Sequence, residues 1–388
     1  MLKMAVGQTE DLDGRFAAED VLRQCAESLG GLEPQAGLLL ASHDLDLDEF
    51  LSAVMSAYPD IDLIGCTTIG PMSSASAYSE GSTTLTLFAS DVLDFTSGLG
   101  IDVSKDAGRA ARQAIEKAAR RTNKDPALVI VTPTVEDLDP AVITSELGDF
   151  LGPTVPVFGG GSVPDFPVAA PWLGSVQFYG TDVVTDSIPV LMISGPLNVS
   201  VGVAHGWNPV GKTAVVTRSD HHKIYEIDGA PVLDFYRHYL GVETEPAIAN
   251  PLAILDDESG RYYLRAPMAY NHEDGSADFF GSVPEGSTVR LAMATTDEIL
   301  DGTQASVAEA LATFPTGAAP EAALISSCAV RNFLLGTRTK GEIERIRSDV
   351  GEDLPVTGFY AFGEIAPLGT DSTPRFHNET LITVLIGT

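Results

Sequence analysis

The feature that most constrains the fold of this chain is a pattern that occurs three times along it. Each occurrence starts with a strand-like run, followed by an amphipathic helix, an apolar strand, a second amphipathic helix, a short apolar step ending in glycine, and a closing apolar strand. The opening runs cover residues 3–9, 96–103 and 288–295. In the first occurrence, Leu22, Cys25 and Leu29 lie three or four residues apart, which predicts one buried helical stripe.

The repeat predicts three modules of the form β-α-β-α-β-β, near residues 1–92, 94–196 and 286–388. Their middle strands, AGLLLAS, PALVIVT and AALISS, are unbroken apolar runs typical of strands covered on both faces. Strands that alternate with helices indicate an α/β fold, with a mixed sheet in each module. The pattern does not determine the order of the strands.

The apolar steps end at Gly65, Gly159 and Gly358, and we interpret these glycines as one tight bend shared by the three modules. The alternative is an anion-binding loop at residues 159–162 (GGGS). That segment lacks both the GxxxxGK[ST] of a P-loop and the GxGxxG of a dinucleotide site, so the bend is the preferred interpretation.

Residues 197–285 break the repeat. The segment contains five of the seven histidines, a helix-like run (APVLDFYRHYL) and turn signals such as HGWNPVGK and VPEGS. We expect it to connect the second and third modules and to add strands or a cap.

Composition excludes several classes of function. The formal net charge of −31 argues against binding to nucleic acid or to an anionic lipid surface, because both need a basic protein surface. No apolar run reaches the length of about 18 residues that a membrane helix needs. The N-terminal residues lack the apolar core of a signal peptide, which favours a cytoplasmic location. Three cysteines in 388 residues do not form a disulfide framework.

Five motifs occur in a fixed order in the second half of the chain. They are HGWNPVGK (205–212), YEIDGAP (225–231), SSCAVR (326–331), GFYAFGEI (358–365) and FHNET (376–380). Together with LIGCTT (63–68), they resemble the tandem FIST N-terminal and C-terminal domains over nearly the whole chain. Val330 departs from the resemblance, because a small residue, usually glycine, is expected between the cysteine and the arginine.

The resemblance implies two FIST domains packed together, at 1–222 and 223–388, that sense a small-molecule ligand and are not an enzyme. Some stand-alone members, of the NosP type, are haem proteins that sense nitric oxide and regulate a histidine kinase or a cyclic-di-GMP enzyme. FIST-like sequence fills the chain, so we expect it to signal to such a protein partner in trans. Haem b is the cofactor that this resemblance implies.

His205 is the main candidate site residue, either as an axial haem ligand or as a polar group of a ligand pocket. Trp207 would add a flat apolar face. The structural alternative is that His205 hydrogen-bonds to a carbonyl group and fixes the turn.

Arg331, Glu364, His377 and Glu379 form a second candidate set. The planar guanidinium of Arg331 suits a ligand carboxylate, and the Glu–His–Glu group suits a ligand amine. The structural alternatives are an ion pair of Arg331 with Glu364 or Glu342, and a hydrogen-bond network between loop and strand. This set predicts a sensor of amino acids or other carboxylates, as the alternative to haem.

The motifs place Phe359, Asn378, Cys66, Thr67 and Cys328 in the ligand site as well. A cysteine-dependent enzyme using Cys328 or Cys66 with His377 is a further hypothesis, which needs a thiolate next to a base. Buried structural cysteines are the preferred interpretation, because the sequence contains no such pairing.

Overall fold

The computed structural model describes residues 1–136, 138–164, 174–241, 247–255, 261–369 and 372–388. Its first module follows the predicted order, with the addition of a short hairpin before the closing strand that the sequence did not predict. It consists of β1 (Leu2–Thr9), α1 (Gly14–Leu29), β2 (Ala36–Ala41), α2 (Leu47–Ala57), β3 (Asp62–Thr67), a hairpin of β4 (Pro71–Ser73) and β5 (Ala77–Tyr78), and β6 (Thr83–Ser90). Asp13 caps α1 by accepting the backbone N–H groups of Arg15 and Phe16, and Gly30 ends the helix in the left-handed conformation.

The second module repeats this order. It consists of β7 (Asp94–Ile101), α3 (Ala107–Ala119), β8 (Pro126–Val131), α4 (Ala141–Leu151), β9 (Val157–Gly160), a hairpin of β10 (Gln177–Tyr179) and β11 (Asp182–Val184), and β12 (Ser187–Ser194). Small residues of α3, among them Ala110 and Ala114, pack against β7, where Gly98 and Gly100 leave room for the helix backbone.

The third module begins at β13 (Asn198–Ala204), about 90 residues before the predicted start. An inserted domain then interrupts it. That domain consists of β14 (Asn208–Asp220), β15 (Lys223–Ile227), β16 (Ala230–Pro231), α5 (Val232–Leu240), β17 (Leu252–Leu255), β18 (Tyr262–Arg265), β19 (Pro267–Asn271), β20 (Ser276–Phe279) and β21 (Thr288–Met293). The prediction that residues 288–295 open the third module is wrong, because β21 pairs with β14 and β17 inside the inserted sheet.

The third module resumes after the inserted domain. Its remaining elements are α6 (Thr296–Thr313), β22 (Ala322–Cys328), α7 (Ala329–Leu335), a 3₁₀ turn (Gly336–Arg338), α8 (Lys340–Val350), β23 (Val356–Ala361), a hairpin of β24 (Glu364–Pro367) and β25 (Pro374–His377), and β26 (Leu381–Gly387). β13 is the true counterpart of β1 and β7, because it pairs along its whole length with β26.

The three module sheets share one strand order. The opening strand of each module lies beside its closing strand, which is followed across the sheet by the strand after the first helix and then by the strand after the second helix. The three orders are β1-β6-β2-β3, β7-β12-β8-β9 and β13-β26-β22-β23. The pairs β2–β3, β8–β9 and β22–β23 are parallel, and the other pairs in these sheets are antiparallel. The predicted α/β fold with mixed sheets is confirmed.

The hairpin of each module pairs with the sheet of another module. β10 pairs with β3, β24 pairs with β9, and β4 pairs with β23, so the three exchanges form a closed ring. Gly65, Gly159 and Gly358 lie inside the strands that receive the hairpins. A Cβ atom at Gly65 or Gly159 would come within 1.9 Å of a carbonyl oxygen of the neighbouring strand. The shared glycines therefore allow close approach of strands and are not a tight bend.

The three sheets pack around one central apolar cluster, and the helices cover their outer faces. Members of the cluster come from every module and are almost completely buried; they include Leu38, Phe88, Ile130, Leu191, Leu324 and Ile382. Burial of one such side chain stabilises the fold by roughly 1.5–3 kcal/mol. Within the described part of the chain, we find no helix whose length and apolarity would let it span a bilayer.

The inserted domain has its own sheet, β18-β17-β21-β14-β15-β20-β19, and a separate core that includes Val216, Ile254 and Phe279. The predicted division at residues 222 and 223 falls in the turn between β14 and β15, which pair with each other. The division into domains at that point stays a prediction.

Candidate functional site

A cavity of about 580 Å³ lies where the inserted domain meets the third module. We call it the first cavity. Its walls come from the end of β13, the first half of α6, the start of β18 and the corner before β26. The lining residues that matter for its chemistry are His205, Trp207, Arg261, Tyr262, Glu298, Asp301, Ala305, Glu309, His377 and Thr380. This volume is typical of sites for small molecules.

His205 follows β13 directly, and α6 passes close to it. Gly206 has a φ of +98°, and a Cβ atom there would lie 2.1 Å from the carbonyl oxygen of Glu298, so the position requires glycine. The backbone N–H of Trp207 donates to Nδ1 of His205 at 3.1 Å, so the neutral ring carries its proton on Nε2. Burial and then the charge of Arg331 lower the pKa of His205 to about 4, so the ring is neutral at pH 7.

His377 lies at the end of β25, and its exposed fraction is 1%. Nε2 donates to the carbonyl oxygen of Ala366 at 3.0 Å, which leaves Nδ1 as an acceptor. Burial lowers the pKa of His377 to about 4, although the bond to Ala366 works in the opposite direction. The first cavity therefore has two neutral imidazoles, with a donor on His205 and an acceptor on His377.

Trp207 and Tyr262 join the inserted domain to the wall of the cavity. The indole of Trp207 is buried and donates to the carbonyl oxygen of Ala249 at 3.3 Å. The hydroxyl of Tyr262 donates to the carbonyl oxygen of Trp207 at 2.8 Å, and its ring lies 5.0 Å from the ring of His205. Trp207 lies in the wall of the first cavity, and its role as a flat apolar face for a ligand stays a prediction.

One side of the cavity carries carboxylates from α6, which the sequence did not single out. Glu298 completes a capping box with Thr295, Asp301 pairs with Arg345 at 2.9 Å, and Glu309 pairs with Arg261 at 3.1 Å. With the two arginines counted against the three carboxylates, one negative charge remains in excess at this wall. The Thr295-x-x-Glu298 capping box and the helical spacing of the three acids were the available signals.

Arg331 is fully buried and lies in a network of its own. Nε and Nη2 donate to Glu342 at 2.9 and 2.6 Å, Nη1 donates to the carbonyl oxygen of His205 at 2.5 Å, and Nη2 also donates to Thr303. The guanidinium has no exposed donor for a ligand carboxylate, which corrects the sequence-based assignment. Arg331 instead fixes the backbone of His205, and its ion pair with Glu342 was one of the structural alternatives.

Glu364 and Glu379 are fully buried behind the cavity wall. Thr380 lines the cavity and donates its N–H and hydroxyl to Oε2 of Glu364 at 3.0 and 2.7 Å. Within the described residues, Oε1 of Glu364 and both carboxyl oxygens of Glu379 have no hydrogen-bond partner. Burial raises the pKa of Glu364 to about 8, and burial followed by the charge of Glu364 raises the pKa of Glu379 well above its ordinary value.

The other predicted site residues lie outside the first cavity. Asn378 accepts the N–H of Ala266 and so ties the inserted domain to the third module. Cys66 and Phe359 belong to the central apolar cluster, and the hydroxyl of Thr67 donates to the carbonyl oxygens of Val163 and Val176. The motifs therefore include residues whose role in the structure is packing, such as Cys66 and Phe359, or hydrogen bonding between segments, such as Asn378 and Thr67.

The contacts of His205 do not fit an axial haem ligand. A histidine that binds a metal almost always donates its second ring N–H to a neighbour. Here that nitrogen, Nδ1, accepts the N–H of Trp207, so the available nitrogen carries the proton instead of a lone pair. Haem propionates would also face the acidic wall of α6. Among the described residues, no group of three or more metal-binding side chains is present.

The three thiols do not have the surroundings of a nucleophile. Cys25, Cys66 and Cys328 are buried, and burial raises the pKa of each thiol, that of Cys25 to about 12. For Cys328 burial is the main cause, and the neighbouring carboxyl of Glu364 would oppose a thiolate further whenever it is ionised.

Comparison with known proteins gives the family. The FIST N domain matches residues 35–230, and the FIST C domain matches residues 233–367. No curated protein matches the chain.

Similar solved structures include cyanuric acid hydrolase from A. caulinodans (9% identity, TM-score 0.37) and a second cyanuric acid hydrolase structure (9%, 0.38), each covering 100% of this chain and 99% of the other. T. maritima PurL complexed with AMPPCP has 11% identity and a TM-score of 0.22, covering 100% of this chain and 72% of PurL. At these values, none of the three indicates an activity for this chain. The two domain matches stand in tandem and cover most of the sequence, so the chain belongs to the FIST family, whose domains are small-ligand sensory domains of signalling proteins.

Proposed function

We propose that this FIST protein senses a small molecule that carries an amine, with amino acids as the first class to test, in the first cavity. The observation that supports the proposal is the composition of the cavity wall. It combines an acidic helix face, one arginine and two neutral imidazoles at the seam between two parts of the fold.

The wall suits the two ends of an amino acid. A ligand ammonium group is favoured by the carboxylates of Glu298 and Asp301, because the negative charge there exceeds the positive charge. A ligand carboxylate would approach Arg261, the arginine of the cavity wall, which lies beside Glu309. His205 Nε2–H and His377 Nδ1 supply one donor and one acceptor without adding charge.

The position of the cavity suggests how binding is reported. A ligand that contacts α6 and β18 together would stabilise one arrangement of the inserted domain against the third module. We propose that a separate signalling protein, a histidine kinase or a cyclic-di-GMP enzyme, recognises that arrangement in trans. The role is that of a sensor and not of an enzyme.

The test is a thermal-shift screen of the full chain with the standard amino acids, simple amines and simple carboxylates, followed by calorimetric titration of any hit. A ligand that binds the native state raises the melting temperature with its concentration. We expect an amine-bearing compound to bind wild type, and Ala305→Trp to abolish the binding, because Ala305 lines the cavity from an exposed position.

Ala308→Trp is the matched control, since Ala308 is also exposed on α6 but does not line the cavity. It should bind like wild type. Binding that survives in Ala305→Trp, or carboxylates without an amine as the preferred ligands, would contradict the proposal. So would a Soret band in protein expressed with a haem supply, if His205→Ala removed that band.

A further inference from the structure

A second cavity, of about 410 Å³, lies on the other side of β25. Three parts of the fold meet there: the loop after β8 in the second module, the β24–β25 hairpin of the third module, and β19 and β20 of the inserted domain. Its lining residues are Val135, Glu136, Leu138, Pro140, Pro164, Gly174, His222, Met268, Phe279, Phe280, Gly281, Phe362 and Phe376. None of the site residues predicted from the sequence is among them, although Phe362 and Phe376 belong to the motifs GFYAFGEI and FHNET.

β25 separates the two cavities. Phe376 lines the second cavity and His377 lines the first, because adjacent residues of a strand point to opposite faces. The inserted domain is hydrogen-bonded to the residues on either side of His377. Arg265 donates to the carbonyl oxygen of Phe376 at 3.1 Å, and Asn378 accepts the N–H of Ala266. The second cavity is thus a separate space.

Four phenylalanines lie among the mostly apolar residues that line the second cavity. Phe280 and Phe362 meet edge to face with ring centroids 4.9 Å apart, and Phe279 and Phe376 are buried beside them. Aromatic and aliphatic walls with few polar groups are typical of sites for flat organic molecules. The faces of aromatic rings also attract cations.

Among the described lining residues, the carboxylate is that of Glu136. Its Oε1 accepts the N–H of Ser175 at 2.9 Å, and among the described residues no further bond is recorded for Oε2. The buried guanidinium of Arg265 lies next to Gly281, but it donates to the carbonyl oxygens of Leu264, Ser282 and Phe376 and has the charge of Asp139 nearby. His222, which also lines the cavity, lies 3.8 Å from Asp278. Among the described lining residues, Glu136 is therefore the carboxylate that can meet a ligand cation.

We propose that the second cavity binds a flat, mostly apolar molecule that carries one positively charged amine. The rings of Phe280, Phe362 and Phe376 would enclose the apolar part, and Glu136 would pair with the ammonium group. The proposal does not depend on what the first cavity binds.

Tryptamine is the probe, and indole-3-propionate is the matched compound with the same ring and a carboxylate at the end of the chain. Calorimetric titrations use the full-length Ala305→Trp protein, so that an amine bound in the first cavity does not contribute. We expect tryptamine to bind, and indole-3-propionate to bind at least about tenfold more weakly, because a charge-assisted hydrogen bond is replaced by repulsion.

In the same background, Glu136→Gln should weaken tryptamine about tenfold and remove the preference over indole-3-propionate. Phe362→Ala should weaken both compounds. The controls are Glu19→Gln and Phe333→Ala, at exposed positions outside the cavity, which should leave both affinities unchanged. No binding of tryptamine, equal binding of the two compounds, or an affinity unaffected by Glu136→Gln and Phe362→Ala would each overturn the proposal. Failure here leaves the amino-acid screen of the first cavity unaffected.

Discussion

Replacement of Glu364 by glutamine tests whether the buried carboxyl behind the first cavity takes up a proton in the folded state. Oε2 of Glu364 accepts two hydrogen bonds from Thr380, and a glutamine carbonyl oxygen can accept the same bonds. The shape of the site is therefore kept while its titration is removed.

The magnitude follows from the two pKa values of the group. Burial raises the pKa of Glu364 to about 8 in the folded protein, from the ordinary 4.5. Between these values the folded protein holds a proton that the unfolded chain has lost, so stability falls as the pH rises, by about 1.4 kcal/mol per pH unit. From pH 6.5 to pH 8, wild type should lose on the order of 2 kcal/mol relative to Glu364→Gln.

This pH range avoids the opposite effect of His205 and His377. Both have a folded pKa of about 4, below the ordinary 6.5. Their contribution to stability is present above pH 6.5 and is lost as the pH falls through about 4. Above pH 6.5 the slope due to the two histidines fades as the unfolded chain loses its histidine protons. Glu379, whose pKa is also raised by burial, adds a slope of the same sign as Glu364. All three groups are present in wild type and in Glu364→Gln, so the difference between the two proteins reports the titration of Glu364.

The assay is urea unfolding followed by circular dichroism at half-unit steps from pH 6.5 to pH 8. The unfolding free energy of wild type should fall relative to that of Glu364→Gln, while Glu19→Gln, at an exposed position, should follow wild type. If the curves of wild type and Glu364→Gln run parallel across the range, the carboxyl is not protonated in the folded protein and the reasoning is refuted.

Three further predictions concern buried groups. Arg331→Met should cost about 3–5 kcal/mol in urea unfolding, because it leaves Glu342 buried without its cation; a loss below about 1 kcal/mol would speak against the network. Gly159→Ala should sharply lower the melting temperature, since a Cβ atom would lie 1.9 Å from the carbonyl oxygen of Val131, whereas Gly108→Ala in α3 should be tolerated. The three cysteines should resist a thiol reagent such as 5,5′-dithiobis(2-nitrobenzoate) at pH 8 until urea unfolds the protein; rapid labelling of the native protein would contradict their burial.

The repeat in the sequence was enough to predict the elements of the modules and their order. Helix stripes such as Leu22, Cys25 and Leu29 and apolar runs such as AGLLLAS are local patterns, and local patterns determine which segments become helices and strands. The first and second modules follow the prediction, apart from the hairpin before each closing strand, which the pattern did not indicate. The family likewise could be identified from ordered motifs, because these are properties of the chain itself.

The start of the third module could not be assigned in this way. The segments that became β13 and β21 are similar short apolar runs, and each has the composition of an opening strand. The choice depended on which of them pairs with β26, and that pairing joins residues more than 170 positions apart. The exchange of hairpins between modules is non-local for the same reason.

The sequence by itself determined that the chain forms α/β modules, that a glycine recurs at the same place in each module, and which residues belong to the family motifs. Only the tertiary structure decided what each polar residue does. His205 lines the same cavity as Glu298 and Asp301 because α6 crosses the end of β13. Arg331 is unavailable to a ligand because it is buried in an ion pair with Glu342 of α8. Strand and helix patterns act over a few residues, whereas a binding site is formed by segments that only the packing of the whole chain brings together.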